Sequence, residues 1–452
     1  MISVLDSAVF GDLFCVDDRM AAAFADRQRL ADLIEVEVAL ARAEAGVGVI
    51  PASAADAIEA AAANVEIDIP ALRQSVAASG VPTIDLVRQL RLAVGPEVAG
   101  FVHRGATSQD IVDTAAVLGL RRATTLVEER LKQVVHVLID LADRHRTTVM
   151  AGRTHGQQAS PITFGLKVAN WLAPLSRHWQ RLSELKPRVF VVQFGGAAGN
   201  LAALGDRGPA VLNALARELG LGPAVPWHTQ RDAIVEYGNW LTMVAGSFGK
   251  IGQDVILLAQ TEVAEVLESS DGSRGGSSTM PHKANPIGSE MMVVAARATG
   301  ALLSALHAAA IQEHERSTHG WQLEWLVLPQ MVALTYGSAS HAASVARHLE
   351  VNGARMRDNI SQAGNVVLAE SLALALAETI ALDEAQALVK RAAIEVRGSH
   401  DSLVVAVRRA AEEKGIEVRI DWDRLADPAA YLGATNELID RILDEARRTV
   451  GT

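Results

Sequence analysis

Eight apolar side chains, Ile234, Tyr237, Leu241, Val244, Phe248, Ile251, Val255 and Leu258, recur at alternating intervals of three and four residues. On an α-helix that spacing draws them into one stripe. A stripe about seven turns long must be covered along its whole length, so the chain is expected to fold as long helices packed side by side. Gly238, Gly246, Gly249 and Gly252 lie in the same segment. Each weakens the helix taken alone, and each also lets a neighbouring backbone come close, so packing must stabilise it.

The same pattern recurs elsewhere. A second stripe uses Val127, Leu131, Val134, Leu138 and Leu141. A third helix is expected to start at Ser160-Pro161, with Ser as cap and Pro in the first turn, and to end near Lys186, before Pro187. A fourth starts at or after Pro286 and reaches roughly Gln312. A fifth covers approximately Gln322 to Leu349, with Pro329 as a kink or offset. The one strand-like run is Phe190 to Phe194. The reading is an all-α protein in three parts: an N-terminal helical domain over 1–105, a central long-helix bundle over 106–350 and a C-terminal helical domain over 351–452. The stripes are too extensive for one chain to cover, which predicts a homo-oligomer.

Composition narrows the function classes. Net charge is −11 over 452 residues, which disfavours nucleic acid or an anionic membrane as the main partner. Cys15 is the only cysteine, so an intrachain disulfide is excluded and a reducing compartment fits. The N-terminus lacks a basic start followed by an apolar run. The apolar stretch Val366 to Leu382 is broken by Glu370 and Glu378, too charged and short for a membrane span. A cytoplasmic location is expected.

Four polar segments interrupt the helices. HRGATSQD, His103 to Asp110, offers amides and hydroxyls that serve either as a helix cap or as a cradle for a carboxylate at the positive end of a helix. GRTHGQQASP, Gly152 to Pro161, places His155 in a Gly-bounded loop, a candidate general acid or base or simply a solvated side chain. WHTQRD, Trp227 to Asp232, carries Gln230 and Arg231, which could reach an anion. GSRGGSSTMPHKANPI, Gly272 to Ile287, is pliable in its glycine half and stiff where Lys283 and Asn285 stand between Pro281 and Pro286. A phosphate-binding P-loop fails on spacing, and no dinucleotide or nucleophile-elbow motif occurs. H-E-x-x-H is absent around Glu313, His314 and His319, so no metal site is expected.

Together, in this order, these segments resemble the fumarase/aspartase superfamily. GSSTMPHKANP is similar to its signature loop, G-S-S-x-M-P-x-K-x-N-P, and HRGATSQD and GRTHGQ resemble its upstream conserved regions. The resemblance spans nearly the whole chain and implies a homotetramer with a shared helical bundle and active sites built from several subunits. Ala284 stands where nucleotide-handling members such as adenylosuccinate lyase carry Arg, while QEHERSTHGWQLEW and PWHTQRD resemble a bacterial lactone-forming branch. That branch implies a small polycarboxylate substrate, addition of a carboxylate to a carbon–carbon double bond, and no cofactor; a C–N lyase is the alternative. The resemblance places Ser277 as proton donor and acceptor at carbon, with Lys283 supporting it, Asn285 orienting the substrate and His155 as acid/base or charge partner. It makes His103, Arg104, Thr107, Ser108, Thr154, Gln230, Arg231, Ser278, Met280 and Arg316 substrate-binding candidates.

Overall fold

The computed structural model describes residues 4–7, 9–14, 17–268, 280, 283–397, 401–417 and 420–451. The N-terminal helices are α1 (Asp18–Phe24), α2 (Asp26–Gly46), α3 (Ala52–Ala62), α4 (Ile69–Ser79) and α5 (Thr83–Val94). The long elements are α6 (Ser108–Arg144), α7 (Phe164–Val189), α9 (Asp232–Leu258), α10 (Ile287–Ala309) and α11 (Gly320–His348), with the shorter α8 (Gly208–Leu219) between α7 and α9. The C-terminal helices are α12 (Gly353–Gln362), α13 (Ala369–Leu376), α14 (Leu382–Glu395), α15 (Leu403–Glu413), α16 (Trp422–Ala426) and α17 (Thr435–Val450). Two small antiparallel sheets pair β1 (Val149–Thr154) with β2 (Gln157–Thr163), and β3 (Val266–Glu268) with β4 (Leu349–Val351). The fold is all-α, as its periodicity predicts.

The defining stripe is buried: Tyr237, Leu241, Val244, Phe248 and Val255 on α9 are wholly enclosed, and Ile234, Ile251 and Leu258 nearly so. Val127, Leu131, Val134, Leu138 and Leu141 are likewise buried, and they belong to the same 37-residue helix that begins at Ser108. The glycines of α9 divide into two kinds. A Cβ on Gly238 would stand 2.3 Å from Leu306 Cδ2, and one on Gly252 would stand 2.4 Å from the Ser289 carbonyl oxygen, whereas Gly246 has open space. Gly252→Ala should therefore cost about 1–3 kcal/mol by overpacking. Gly246→Ala should be neutral or stabilise by about 0.5–1 kcal/mol through helix propensity. Thermal melts of the two variants check the pair; equal shifts would contradict the close approach at Gly252.

Two expectations are corrected. Ser160-Pro161 does not open a helix. It lies in β2, and α7 starts at Phe164, where the Thr163 hydroxyl accepts the Leu166 amide at 3.1 Å, and runs through Pro187 to Val189. The Phe190–Phe194 run makes only a single bridge, Val191 to Gly222. Its buried Gln193 instead anchors loops through its side chain, as described below. Among the described residues, the helices long and apolar enough to cross a membrane are α9 and α10. Both pass the test of length and composition, with 50% of the apolar window of α9 and 22% of that of α10 buried.

The chain divides into two units. The first comprises 1–130, 180–246 and 295–338; the second comprises 131–179, 247–294 and 339–452. In the first, α2 lies against α3 and α8. In the second, Val149 and Ala151 of β1 join Ile360, Leu368, Leu372, Leu388, Leu403 and Val407 in one apolar core. That core covers the base of the hairpin and leaves its tip in solvent.

Candidate active site

The expected site residues fall into two sets, one in each unit. In the first unit, two of the polar segments, His103 to Asp110 and Trp227 to Asp232, meet at the start of α6 with the 193–197 loop. Asp110, in its first turn, is buried and saturated with donors. Its Oδ1 accepts His228 Nε2 at 2.8 Å, the Gly195 amide at 2.9 Å and Gln193 Nε2 at 3.1 Å; its Oδ2 accepts the amides of Thr107 at 3.0 Å and Gly196 at 2.9 Å. The bond to Thr107 closes half of a capping box. The Thr107 hydroxyl does not cap the helix. It accepts Arg316 Nη1 at 2.6 Å, and Arg316 Nη2 donates to the Ala197 carbonyl at 2.8 Å. Arg316 thus fastens the 312–316 segment to the mouth of α6. Ser108 is half-buried at the first position of α6, its amide among those without an intrahelical acceptor.

Arg231 departs from its expected role. It is 3% exposed, with its face 4.6 Å from the centre of the Trp227 ring. It forks onto Asp113 at 2.7 and 3.1 Å and onto Glu324, whose Oε1 accepts its Nε at 2.9 Å. Trp321 Nε1 donates to Asp113 at 2.9 Å, and Gln109 Nε2 donates to both Asp113 and the His228 carbonyl. The anions that Arg231 meets are therefore two carboxylates of its own chain. Both hold the guanidinium protonated, while burial raises the Glu324 carboxyl against the lowering by Arg231. Gln230 points elsewhere and is exposed, with a 3.4 Å contact to the Pro226 carbonyl. Arg104 is exposed beside Phe101. His103 is mostly buried, and its Nδ1 lies 2.7 Å from Glu37 Oε1.

In the second unit, His155 occupies the tip of the β1–β2 hairpin. The register pairs Thr154 with Gln157, leaving His155 and Gly156 as a two-residue loop with φ of 50° and 77°. Two left-handed residues in succession make the type I′ turn that matches strand twist. His155 and Thr154 are exposed. At the base of the tip, Arg153 forks onto buried Glu265 at 2.9 and 2.6 Å, and Asn359 Nδ2 donates to the same carboxylate at 2.9 Å. Glu265 immediately precedes β3, so one ion pair ties the histidine hairpin to the strand that leads toward the Ser-Lys-Asn loop. Glu268, ending β3, accepts the amides of Gly288 at 2.8 Å and Ser289 at 3.1 Å and the Ser289 hydroxyl at 2.8 Å. A carboxylate there caps α10 and opposes the positive end of its dipole. Of the loop itself, Met280 and Lys283 are exposed and Asn285 is half-buried. Ser277 and Ser278 lie outside the described residues.

Six non-glycine residues among those described have positive φ, and three of them are His103 and His155, in two of the polar segments, and His314, in the stretch Gln312 to Trp325. Backbone strain of this kind gathers at functional sites. It favours chemical loops over plain linkers. Sequence reading missed Asp110, His228, Glu37, Glu265 and Glu268 as organisers. Asp110 and His228 stood inside segments already singled out, and an acidic residue three after Thr107 was a legible capping signal.

Long buried helices whose ends carry strained, histidine-bearing polar loops define an all-α enzyme scaffold. The chain belongs to the lyase family, whose model matches residues 14–300. It is 47% identical over 442 residues to a 3-carboxy-cis,cis-muconate cycloisomerase of Pseudomonas aeruginosa, covering 96% of this chain and 95% of that protein. It is 42% identical over 440 residues to the protein of the same name from Bradyrhizobium diazoefficiens, covering 95% and 96%. Its fold matches the crystal structure of the 3-carboxy-cis,cis-muconate lactonizing enzyme from Pseudomonas putida with a TM-score of 0.90 at 42% identity, covering 98% of this chain and 100% of that one.

Proposed function

We propose that this protein is a cycloisomerase that converts 3-carboxy-cis,cis-muconate to carboxymuconolactone, in the protocatechuate arm of the β-ketoadipate pathway. Similarity at 42–47% identity over nearly the entire chain to proteins of that activity carries the reading. Substrate and product have the same atoms and oxidation level, so the reaction needs no cofactor. One carboxylate oxygen adds to a carbon–carbon double bond, and the displaced electron pair moves to the adjacent carbon, conjugated with a second carboxylate. A proton delivered to that carbon completes the lactone.

Ser277 is assigned the proton, with Lys283 lowering the cost of an alkoxide nearby and Asn285 orienting a carboxylate. His155 serves as acid/base or charge partner. His103, Arg104, Thr107, Ser108, Thr154, Gln230, Ser278, Met280 and Arg316 bind the carboxylates and shape the pocket around them. Ala284 fits a substrate without a phosphate, since an Arg at that position would supply a bidentate phosphate ligand.

The working form is a cytoplasmic homotetramer, each site drawing on several chains. Two features support this. Only 22% of the apolar window of α10 is buried within one chain, and Met243, Leu257, Val294 and Leu326 are exposed on α9, α10 and α11. Apolar helix faces of that extent call for a partner. The test is spectroscopic: purified protein should bleach the conjugated absorbance of 3-carboxy-cis,cis-muconate and leave adenylosuccinate untouched. Cleavage of adenylosuccinate alone would overturn the assignment.

A further inference from the structure

The His103 imidazole does not stand alone at the mouth of α6. Its Nδ1 lies 2.7 Å from Oε1 of Glu37, a side chain 1% exposed on α2. A carboxylate in that position accepts Nδ1–H, which fixes the tautomer and leaves Nε2 as the nitrogen available to a ligand. Glu37 Oε2 has no partner among the described residues. Seven residues further along α2, and so on the same face, Glu44 is wholly buried with neither oxygen bonded among the described residues. The Glu37 carboxylate thus backs an imidazole 66 residues away in sequence. His103 itself is held at φ 61°, a left-handed conformation with a conformational cost for any non-glycine residue. The strain and the buried acid make this arrangement more specific than a surface ion pair requires.

We infer that Glu37 is a positioning residue of the active site: its carboxylate accepts His103 Nδ1–H and favours the imidazolium, whose Nε2–H then donates to a carboxylate of the bound substrate. The inference rests on the cycloisomerase reading only for the identity of that carboxylate.

The charges around the pair agree with such a role. Burial pulls the His103 imidazole down, but the charge and hydrogen bond of Glu37, with Asp110 of α6, more than reverse this; Arg91 of α5 opposes them. The net shift is upward, so His103 keeps its second proton to higher pH than a free histidine does. Glu44 is pushed up to about 8, by burial first, with Arg104 pulling it down and Glu37 pushing it up. Below that pH Glu44 is a neutral acid.

The experiment compares the full-length enzyme with Glu37→Gln and Glu44→Gln across pH 6 to 9. Two readouts are taken: steady-state kcat and KM for 3-carboxy-cis,cis-muconate, and calorimetric binding of propane-1,2,3-tricarboxylate, a stable carboxylate probe. Glu37→Gln should raise KM about tenfold near pH 7.5 with a smaller change in kcat, and should move the alkaline loss of affinity down by about one pH unit, the equivalent of that tenfold change. Glu44→Gln should leave both profiles in place below pH 8, because a protonated carboxyl and an amide are both neutral and of similar shape. Should Glu37→Gln fail to assemble, Glu37→Asp retains the charge with the oxygen drawn back and should give a smaller shift in the same direction. Unchanged pH profiles in a folded Glu37 variant would overturn the inference and leave Glu37 a packing residue. Loss of pH-linked tricarboxylate binding in Glu37→Gln, in a parent enzyme that does not turn over the muconate, would uphold it while sinking the reaction assigned above.

Discussion

Ser277→Ala should lower kcat by about 10³-fold while leaving assembly intact, because on the proposed assignment it removes the group that delivers the proton in the transition state. On the proposed assignment the loss belongs in kcat rather than KM, since the proposed carboxylate ligands are unchanged. Stopped-flow or steady-state absorbance at saturating substrate measures it, and sedimentation of the variant should match that of the parent protein. A variant that keeps a tenth or more of parental kcat would transfer the proton to His155 or another group. The expectation comes from the match of GSSTMPHKANP to the superfamily loop and from the alternation of glycine and proline around it. It is chemically consistent with a redox-neutral addition, in which one well-placed acid suffices.

Arg231→Met should be the most damaging single change to the fold. Asp113 and Glu324 are 3% and 5% exposed, and both depend on that guanidinium for neutralisation. Removing it leaves two buried carboxylates facing each other, a defect that costs about 3–5 kcal/mol. In a unit of this size that corresponds to a fall in Tm of about 10 °C. The triple variant Arg231→Met, Asp113→Asn, Glu324→Gln should recover much of the loss, since the charges disappear together. Differential scanning calorimetry distinguishes the two. If Arg231→Met melts with the parent and only KM rises, Arg231 is a substrate ligand after all and its carboxylate partners are secondary.

These outcomes mark where sequence was informative and where it was not. The α9 stripe and the Val127–Leu141 stripe were legible because periodicity is local: each residue's burial follows from its neighbours three and four positions away. The hairpin at 149–163 was misread at Ser160-Pro161, because the Ser-Pro pair is a good helix start locally while the decision is made by the apolar core under β1, built from residues two hundred positions downstream. The two-residue His155-Gly156 loop was the available strand signal. Phe190–Phe194 looked like a strand by composition, yet what binds it is a set of side-chain contacts, with Thr114 Oγ1 donating to the Gln193 carbonyl at 2.9 Å and Gln193 bonded to Asp110.

The site shows the same division. Motif segments could be found in order along the chain, but a cation's partner cannot be read from its own segment. Arg231 meets Glu324 across 93 positions, Arg153 meets Glu265 across 112, and His103 meets Glu37 across 66. Each of these pairs joins a polar segment to a distant helix or strand. Sequence therefore located the polar segments and left unnamed the carboxylates that hold them in place.

The most direct test is to run the reaction in deuterium oxide and follow it by proton NMR. The account requires 3-carboxy-cis,cis-muconate to disappear into a γ-lactone carrying one solvent deuterium on the carbon next to the new carbon–oxygen bond. Recovery of unaltered diene, or a product in which no ring has closed, would contradict it.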